Sequence, residues 1–300
     1  MIPGWPKDVI LSTGPLAGLG DNFLWSTLPR RFKEAGHNVL LDSDNFARND
    51  ETLDIIWRRN PFIDDVTDRK PNAGYPLQGA FYDELQKYPE GANLEVMERV
   101  HGLPPPYSIA PEMHYTPQPY HQDLSNVVLW DWTALSSTIT DNGWKRFMEK
   151  MAEALGVVSE GGPDIVICKH LAEVGGMRQL PLAVEAAAIG IRSIYQYVDM
   201  LAGCRAWVGS EAGGQALAAA VRGPHDVWDY EARPEIVSLM AVGTRNSLAF
   251  CYRGVKYRTS RECAGEDYLN PAEVQMHRYH VSAKMVSIAR LSSWREATQA

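Results

Sequence analysis

Apolar and polar positions over the first forty residues fall into three successive rhythms. Val9 to Leu11 form a short apolar run of strand length. Phe23, Leu24, Leu28, Phe32 and Ala35 then recur at helical spacing, and Val39 to Leu41 are again continuously apolar. A glycine-rich stretch separates the first run from the helix, and Gly36 stands where a helix hands over to left-handed backbone. Pro29 lies inside the helical pattern and predicts a kink or an interruption, because it lacks an N–H. Strand, glycine turn, helix, strand is a βαβ opening, which normally heads a parallel sheet.

The pattern continues with a short helix over Thr52 to Arg59, a strand over Phe62 to Val66 and an amphipathic helix over Asn93 to His101, closed by Gly102. From Leu103 to Tyr120 the chain reads LPPPYSIAPEMHYTPQPY, which neither helices nor central strands accept. The domain boundary is placed there, giving domains 1–120 and 121–300. After it the α/β rhythm restarts. Val127 to Trp132 predict a strand, Gly143 to Leu155 a helix, Ile165 to Cys168 a strand, and Ala206 to Val208 a short strand. That last strand runs into Gly209-Ser210-Glu211-Ala212-Gly213-Gly214, and an alanine-rich helix follows over Gln215 to Val221. Ala249 to Thr259 alternate like a strand. Asn270 and Pro271 predict the start of a helix with Val274, Val281, Met285 and Ile288 facing inward.

Composition narrows the class. Three hundred residues with 45% hydrophobic and 22% charged positions suit two soluble α/β domains. No apolar run is long enough to cross a bilayer, and MIPGWPKDVI lacks the charged and apolar regions of a signal peptide, so a cytoplasmic protein is expected. Cys168, Cys204, Cys251 and Cys263 are scattered with no CxxC pair, which predicts buried reduced thiols rather than zinc or disulfides. The net charge of −8 argues against general affinity for phosphate backbones, although basic residues outnumber acidic ones from Arg253 onward.

Two constellations carry the candidate chemistry. Gly14, Gly18, Gly20 and Asp21 lie between a strand and a helix, where glycine allows close ligand approach and a helix N-terminus favours an anion. A tight βα turn with Asp21 as helix cap explains the same residues without a ligand. Thr13 to Gly20 also fit the TGxxxGxG dinucleotide pattern, with Asp42 placed to accept from an NAD ribose. The Tyr-x-x-x-Lys that such a dehydrogenase needs occurs only at Tyr252 to Lys256, in a strand-like segment near the C-terminus. Ser210 to Gly214 repeat the strand-to-helix arrangement in the second half. There Glu211 is suited to accept hydrogen bonds from sugar or ribose hydroxyls, and the helix N–H groups to hold a diphosphate. The alternative is a capped helix with packing glycines.

Weaker signals read more simply as structure. Asp42-Ser43-Asp44 spells a metal-binding DxD but follows the second strand directly, as a solvated loop would. Lys169 and His170 end a strand and suit either diphosphate or a strand-end charge pair. Trp130 and Trp132 fit core packing, Arg253, Lys256, Arg258 and Arg261 a solvated strand face, and His277 and His280 the surface.

Taken together, GLGDNFLWSTLPRRFKEAGHNV (18–39) resembles the opening of heptosyltransferase-like glycosyltransferases, where Gly-Asp starts a helix followed by Thr-x-Pro. RNDETLDIIWRRNPFIDDV (48–66) and PNAG (71–74) resemble the segments after it, and AWVGSEAGGQALAAAV (206–221) the family's donor-site stretch. Glu211 stands where the family has Asp, Ala216 where it has His, and Asp141-Asn142-Gly143 precede Trp144 in place of a Lys. These departures bear on the sugar, heptose in particular. The resemblance implies a GT-B fold: two Rossmann-like domains with parallel sheets facing across a cleft, acceptor on the N-terminal side, nucleotide-sugar on the C-terminal side. Asp21 would be the general base of an inverting transfer, with Gly18, Gly20, Asn22 and Asn72 on the acceptor-side loop. Lys169, Ser210, Glu211, Gly213, Gly214 and Gln215 would hold the donor, with no metal and no cofactor. The acceptor is a saccharide or a modified (hydroxymethyl) nucleobase, with a protein hydroxyl also open. An NAD(P)-dependent oxidoreductase and a catalytically idle nucleotide-sugar-binding protein are the competing readings.

Overall fold

The computed structural model describes residues 1–14, 18–47, 49–87, 93–131, 164–170, 187–210, 213–221, 235–240, 255–259 and 286–287. These form an α/β fold of two compact units. One holds the described residues through Thr116 and takes back the strand Val286–Ser287; the other begins at Pro117.

In the first unit, β1 (Asp8–Ser12) is central. It pairs in parallel with β2 (Asn38–Asp42) on one side and with β5 (Ala73–Gly74) on the other, and β4 (Asp65–Thr67) extends the sheet beyond β2. The order is therefore β4-β2-β1-β5. The helical pattern after β1 splits into α1 (Leu19–Leu24) and α2 (Leu28–Glu34). Pro29 sits in the first turn of α2, where its missing N–H costs no hydrogen bond. Phe23, Leu24, Leu28 and Phe32 are buried, each stabilising by about 1.5–3 kcal/mol relative to exposure. Gly36, at φ +87°, ends α2 with paired bonds from its own N–H to Lys33 and from His37 N–H to Phe32. Gly102 closes α5 (Asn93–Val100) in the same way.

Several elements differ from the pattern reading. The strand expected from Phe62 begins only at Asp65, because Asn60 closes a turn: its side chain accepts from Phe62 N–H and its carbonyl from Ile63 N–H. The helix expected over 52–59 is α3 (Asp50–Leu53), capped by Asn49, followed by one wide turn over Asp54–Arg58. β5 is too short to signal itself, and α4 (Gln78–Lys87) was not read from the pattern. β3 (Phe46–Ala47) pairs antiparallel with β12 (Val286–Ser287), two positions that fall within the span where the sequence predicts a helix. At Val286 and Ser287 the backbone is extended and its hydrogen bonds go to β3.

A buried ion network fastens the proline-rich segment to this unit. Arg30 donates to Glu112 at 2.6 Å and to Ser108, while Arg31 donates to Glu98 at 3.1 Å and to the Pro104 carbonyl. Burial pushes the Glu112 carboxyl up to about 7, with Arg30 pulling against it.

In the second unit six strands are parallel throughout. They are β6 (Val127–Asp131), β7 (Asp164–His170), β8 (Ala187–Ile191), β9 (Ala206–Ser210), β10 (Glu235–Met240) and β11 (Val255–Thr259). Their order is β11-β10-β9-β6-β7-β8. Counted from the first strand of this sheet, that is 3-2-1-4-5-6, the doubly wound order of dinucleotide-type folds. α6 (Ile194–Gly203), capped by Ser193, precedes β9, and α7 (Gly213–Val221) follows it. Trp130 and Trp207 are fully buried, and Cys204 is a buried free thiol. The expected helix over 143–155 lies outside the described residues. Among the described residues no helix is long and apolar enough to cross a membrane.

Candidate functional site

Strand order locates a crevice in each sheet. Where the chain winds outward in both directions from one strand, the two connections leave that strand's carboxyl end on opposite faces and open a gap there. In the first unit the reversal lies between β1 and β5; in the second it lies between β6 and β9. The carboxyl end of β1 leads into the Gly14–Asp21 turn. The carboxyl end of β9 leads into Ser210 to Gly214. Both glycine constellations therefore stand at reversal points.

In the first crevice the turn after β1 is set by Asn45, which is fully buried. Its side-chain carbonyl accepts from Thr13 N–H at 2.6 Å and from the Ser12 and Thr13 hydroxyls, and its amide donates to the Leu11 carbonyl. Gly14, at φ +63°, lies flat on Tyr75, where a Cβ would stand 2.2 Å from the ring. Gly74, the last residue of β5, comes equally close to the Ser12 carbonyl. Its N–H donates to His101 Nε2 at 2.9 Å, while His101 Nδ1 donates to the Met97 carbonyl. One ring nitrogen thus accepts and the other donates, so the imidazole is neutral, and burial holds it down to about 4.

The predicted acceptor-side residues gather here with unequal freedom. Asp21 is half-buried in the first turn of α1, and its Oδ2 accepts from Gly18 N–H at 3.2 Å. Asn22 is fully buried: its amide donates to the Gly18 carbonyl and its oxygen accepts from the Trp57 indole at 2.7 Å. Asn72 extends the edge of β1, accepting from Ile10 N–H at 2.9 Å and donating to the Asp8 carbonyl. Gly20 is buried in α1. Asn22 and Asn72 are thus occupied in holding the backbone, and Asp21 and Gly18 form the lip of the turn. Asp42 is buried at the end of β2, where its Oδ1 accepts from Asp44 N–H in a local turn, and Asp44 is exposed.

In the second crevice Gly213 and Gly214 open α7 and Gln215 is buried behind them. Ser210 ends β9, and Lys169 lies near the carboxyl end of β7, beside β6. Glu211 lies outside the described residues. The sequence reading missed the centre of this crevice. Asp131, at the end of β6 and 6% exposed, accepts from the Tyr197 hydroxyl at 2.5 Å, and that hydroxyl accepts from the Trp207 indole at 2.7 Å. A Cβ on Gly214 would stand 2.7 Å from Asp131 Oδ2, and one on Gly209 would stand 2.2 Å from the Asp131 carbonyl. These glycines make room for protein, as packing glycines do. The available signal was a carboxylate at a strand's end inside the apolar VVLWDW, which reads as core until strand order is known. Among the described residues no group of three or more His, Cys, Asp or Glu is placed to hold a metal ion.

No family model matches the sequence and no curated protein matches it. Solved structures do. A family 9 glycosyl transferase from Veillonella parvula superimposes with a TM-score of 0.50 at 9% identity, covering 84% of this chain and 86% of that one. The dodecameric iron-containing heptosyltransferase TibC, in complex with ADP-D-beta-D-heptose, gives 0.52 at 16% identity over 84% of this chain. TibC from enterotoxigenic E. coli, described as an iron-containing dodecameric glycosyltransferase, gives 0.50 at 14% identity. The chain spans 62% of the length of TibC in its ADP-heptose complex. In fold, the chain is similar to heptosyltransferase-like glycosyltransferases of family 9, the same group that the residues at 18–39 and 206–221 resemble.

Proposed function

We propose that the chain is a glycosyltransferase that moves a sugar from a nucleotide-sugar to an acceptor hydroxyl, with inversion and without a metal. The observation that carries this reading is the coincidence of each glycine turn with a reversal of strand order, in a chain whose fold is similar to family 9. Asp21, at the lip of the first crevice, takes the proton from the acceptor hydroxyl as its oxygen attacks the anomeric carbon. The bond from that carbon to the leaving phosphate oxygen breaks on the opposite face. Glu211 accepts from donor hydroxyls, and Lys169 with the first N–H groups of α7 stabilises the departing phosphate. Ser210, Gly213, Gly214 and Gln215 shape the donor side. The acceptor is a saccharide or a hydroxymethylated base. The protein acts in the cytoplasm in this reading.

The test is a thermal-shift titration with UDP-, GDP- and ADP-sugars against NAD and NADP. Stabilisation by one nucleotide-sugar class is expected. Stabilisation by NAD or NADP alone would instead favour the dinucleotide reading of Thr13–Gly20 and Asp42. Slow hydrolysis of the bound donor without acceptor then separates an enzyme from an idle binding protein.

A further inference from the structure

We infer that β12 (Val286–Ser287), the strand returning from near the C-terminal end, is a positioning element of the first crevice. It clamps β3, and through β3 it holds Asn45 against the start of the Gly14–Asp21 turn. This rests on the reading of Asp21 above and adds to it what keeps the turn leading to Asp21 in place.

Every link lies within the first unit, to which the returning strand belongs. Asn45 gathers both amides with which the turn begins. Thr13 N–H donates to Asn45 Oδ1 at 2.6 Å. Gly14 N–H donates to Ser12 Oγ at 3.0 Å, and the Ser12 hydroxyl donates to the same Oδ1 at 3.2 Å. The Asn45 amide in turn donates to the Leu11 carbonyl at 3.3 Å. Bonds that share one buried acceptor are only as firm as the side chain that offers it. Asn45 itself stands between two anchors. On one side its N–H donates to the Asp42 carbonyl at 3.1 Å, at the end of β2; on the other, β3 begins at the next residue. β3 is two residues long, and so short a strand is not stable without a partner. Its ladder partner is β12, with Val286 opposite the fully buried Ala47 and Ser287 opposite Phe46. The setting of Asn45 thus depends on residues from the far end of the sequence, and the first crevice is complete only when they have paired.

Amide hydrogen exchange on the full chain, resolved at Thr13 and Gly14, tests this. Val286→Pro together with Ser287→Pro removes the ladder donors of β12. Exchange at Thr13 and Gly14 should quicken roughly tenfold, the weight of about one hydrogen bond, while Val208 in the second unit exchanges as before. Asn45→Ala should quicken the same two amides, and adding the prolines to it should change nothing more. Should the proline variant lose its cooperative melt, Val286→Gly with Ser287→Gly weakens the strand, keeps its N–H groups and makes the same comparison. Wild-type exchange in these variants, or effects that add to that of Asn45→Ala, would overturn the inference whatever the donor proves to be. A catalytic arm uses ADP-glucose, GDP-mannose and UDP-glucose, with water in the acceptor's place. Hydrolysis of whichever binds should fall roughly tenfold in the proline variant, with its dissociation constant held within about twofold. Calorimetric stoichiometry should also hold, whereas loss of folded protein would lower it. Quickened exchange with unchanged hydrolysis would leave β12 a clamp of the fold and overturn its role in the crevice. If none of the three binds the wild type, the donor reading falls, and the exchange measurement still decides whether β12 holds the turn.

Discussion

At the reversal of the first sheet, the bonds that hold Ile10, Thr13 and Gly74 come from neutral groups: the side chains of Asn45 and Asn72 and the imidazole of His101. At the reversal of the second, side-chain bonds run from a tryptophan through a tyrosine to a buried aspartate. The same topological position is furnished in two ways, and the contrast has chemical consequences. Neutral amides fix a turn without a field of their own, so a base at the lip of that turn keeps the reactivity its own surroundings give it. The second ties three side chains from distant segments into one buried polar chain. In the proposed reading the first arrangement serves proton transfer.

The sharpest way to break this contrast is to remove the charge at Asp21. Asp21→Asn retains an oxygen to accept from Gly18 N–H, and Asn caps helices about as well as Asp. Melting should move little while transfer falls by roughly 10²–10⁴-fold, the usual weight of a general base. Donor affinity should hold, because the proposed donor residues lie in the other unit. Wild-type transfer in the variant would reduce Asp21 to a helix cap.

The neutrality of the first crevice has a pH signature. His101 is held neutral down to about 4 when folded, whereas an unfolded histidine takes its proton near 6.5. Between those values the unfolded chain binds more protons, so the contribution of His101 is full above about pH 6.5 and is lost as pH falls toward 4. The whole shift is worth roughly 3 kcal/mol. His114, pushed down to about 4 by burial and by Arg30, acts in the same direction. Glu112, pushed up to about 7, acts oppositely, losing stability as pH rises from 4.5 to 7. Melting of wild type and His101→Gln across pH 4 to 7 checks the assignment. The variant should melt lower at pH 7 and show a shallower decline on acidification; an unchanged slope would remove His101 from the account.

On the other side of the comparison, Glu211→Ala should weaken nucleotide-sugar binding about tenfold, the weight of one hydrogen bond lost to a buried group. The fold should be unaffected. An unchanged donor dissociation constant would leave Glu211 as a helix cap.

How far the sequence disclosed this depended on the length of each pattern. The βαβ opening was legible because Val9–Leu11, Phe23–Phe32 and Val39–Leu41 each carry enough apolar residues to show a period, and Gly36 and Gly102 mark their helix ends. β5 is two residues long and holds no pattern, yet it creates the first reversal point and places Gly74 against Ser12. The resemblance places Asn22 and Asn72 on the acceptor-side loop, but their partners in the fold, Trp57 and the β1 backbone, are 35 and 62 residues away and leave no mark in the local sequence. Asp131 was invisible for the complementary reason. Its neighbours in sequence are tryptophans, and its partner Tyr197 lies 66 residues on.

The smallest expected effect is that of chelation, and it bears on the one acidic pair of the first crevice that spells a metal motif. Asp42 and Asp44 would need to converge on a cation. Instead Asp42 is 7% exposed with Oδ1 accepting from Asp44 N–H at 3.1 Å, and Asp44 is exposed. A local turn of this kind directs one lone pair of Asp42 to the backbone. In the second crevice a divalent ion would find the Asp131 carboxylate, but Tyr197 already holds its Oδ2. Among the described residues neither crevice offers the several convergent oxygens that magnesium or manganese requires. In the proposed reading the leaving phosphate is served by Lys169 and the start of α7. Transfer measured in EDTA should match transfer in buffer within about twofold, since the helix end and the lysine are unaffected by a chelator. Loss of turnover in EDTA, restored by manganese or magnesium, would overturn this. Repeating the assay with Asp42→Asn and Asp131→Asn would then show which crevice holds the ion, because the rescue concentration should rise only in the variant that has lost a ligand.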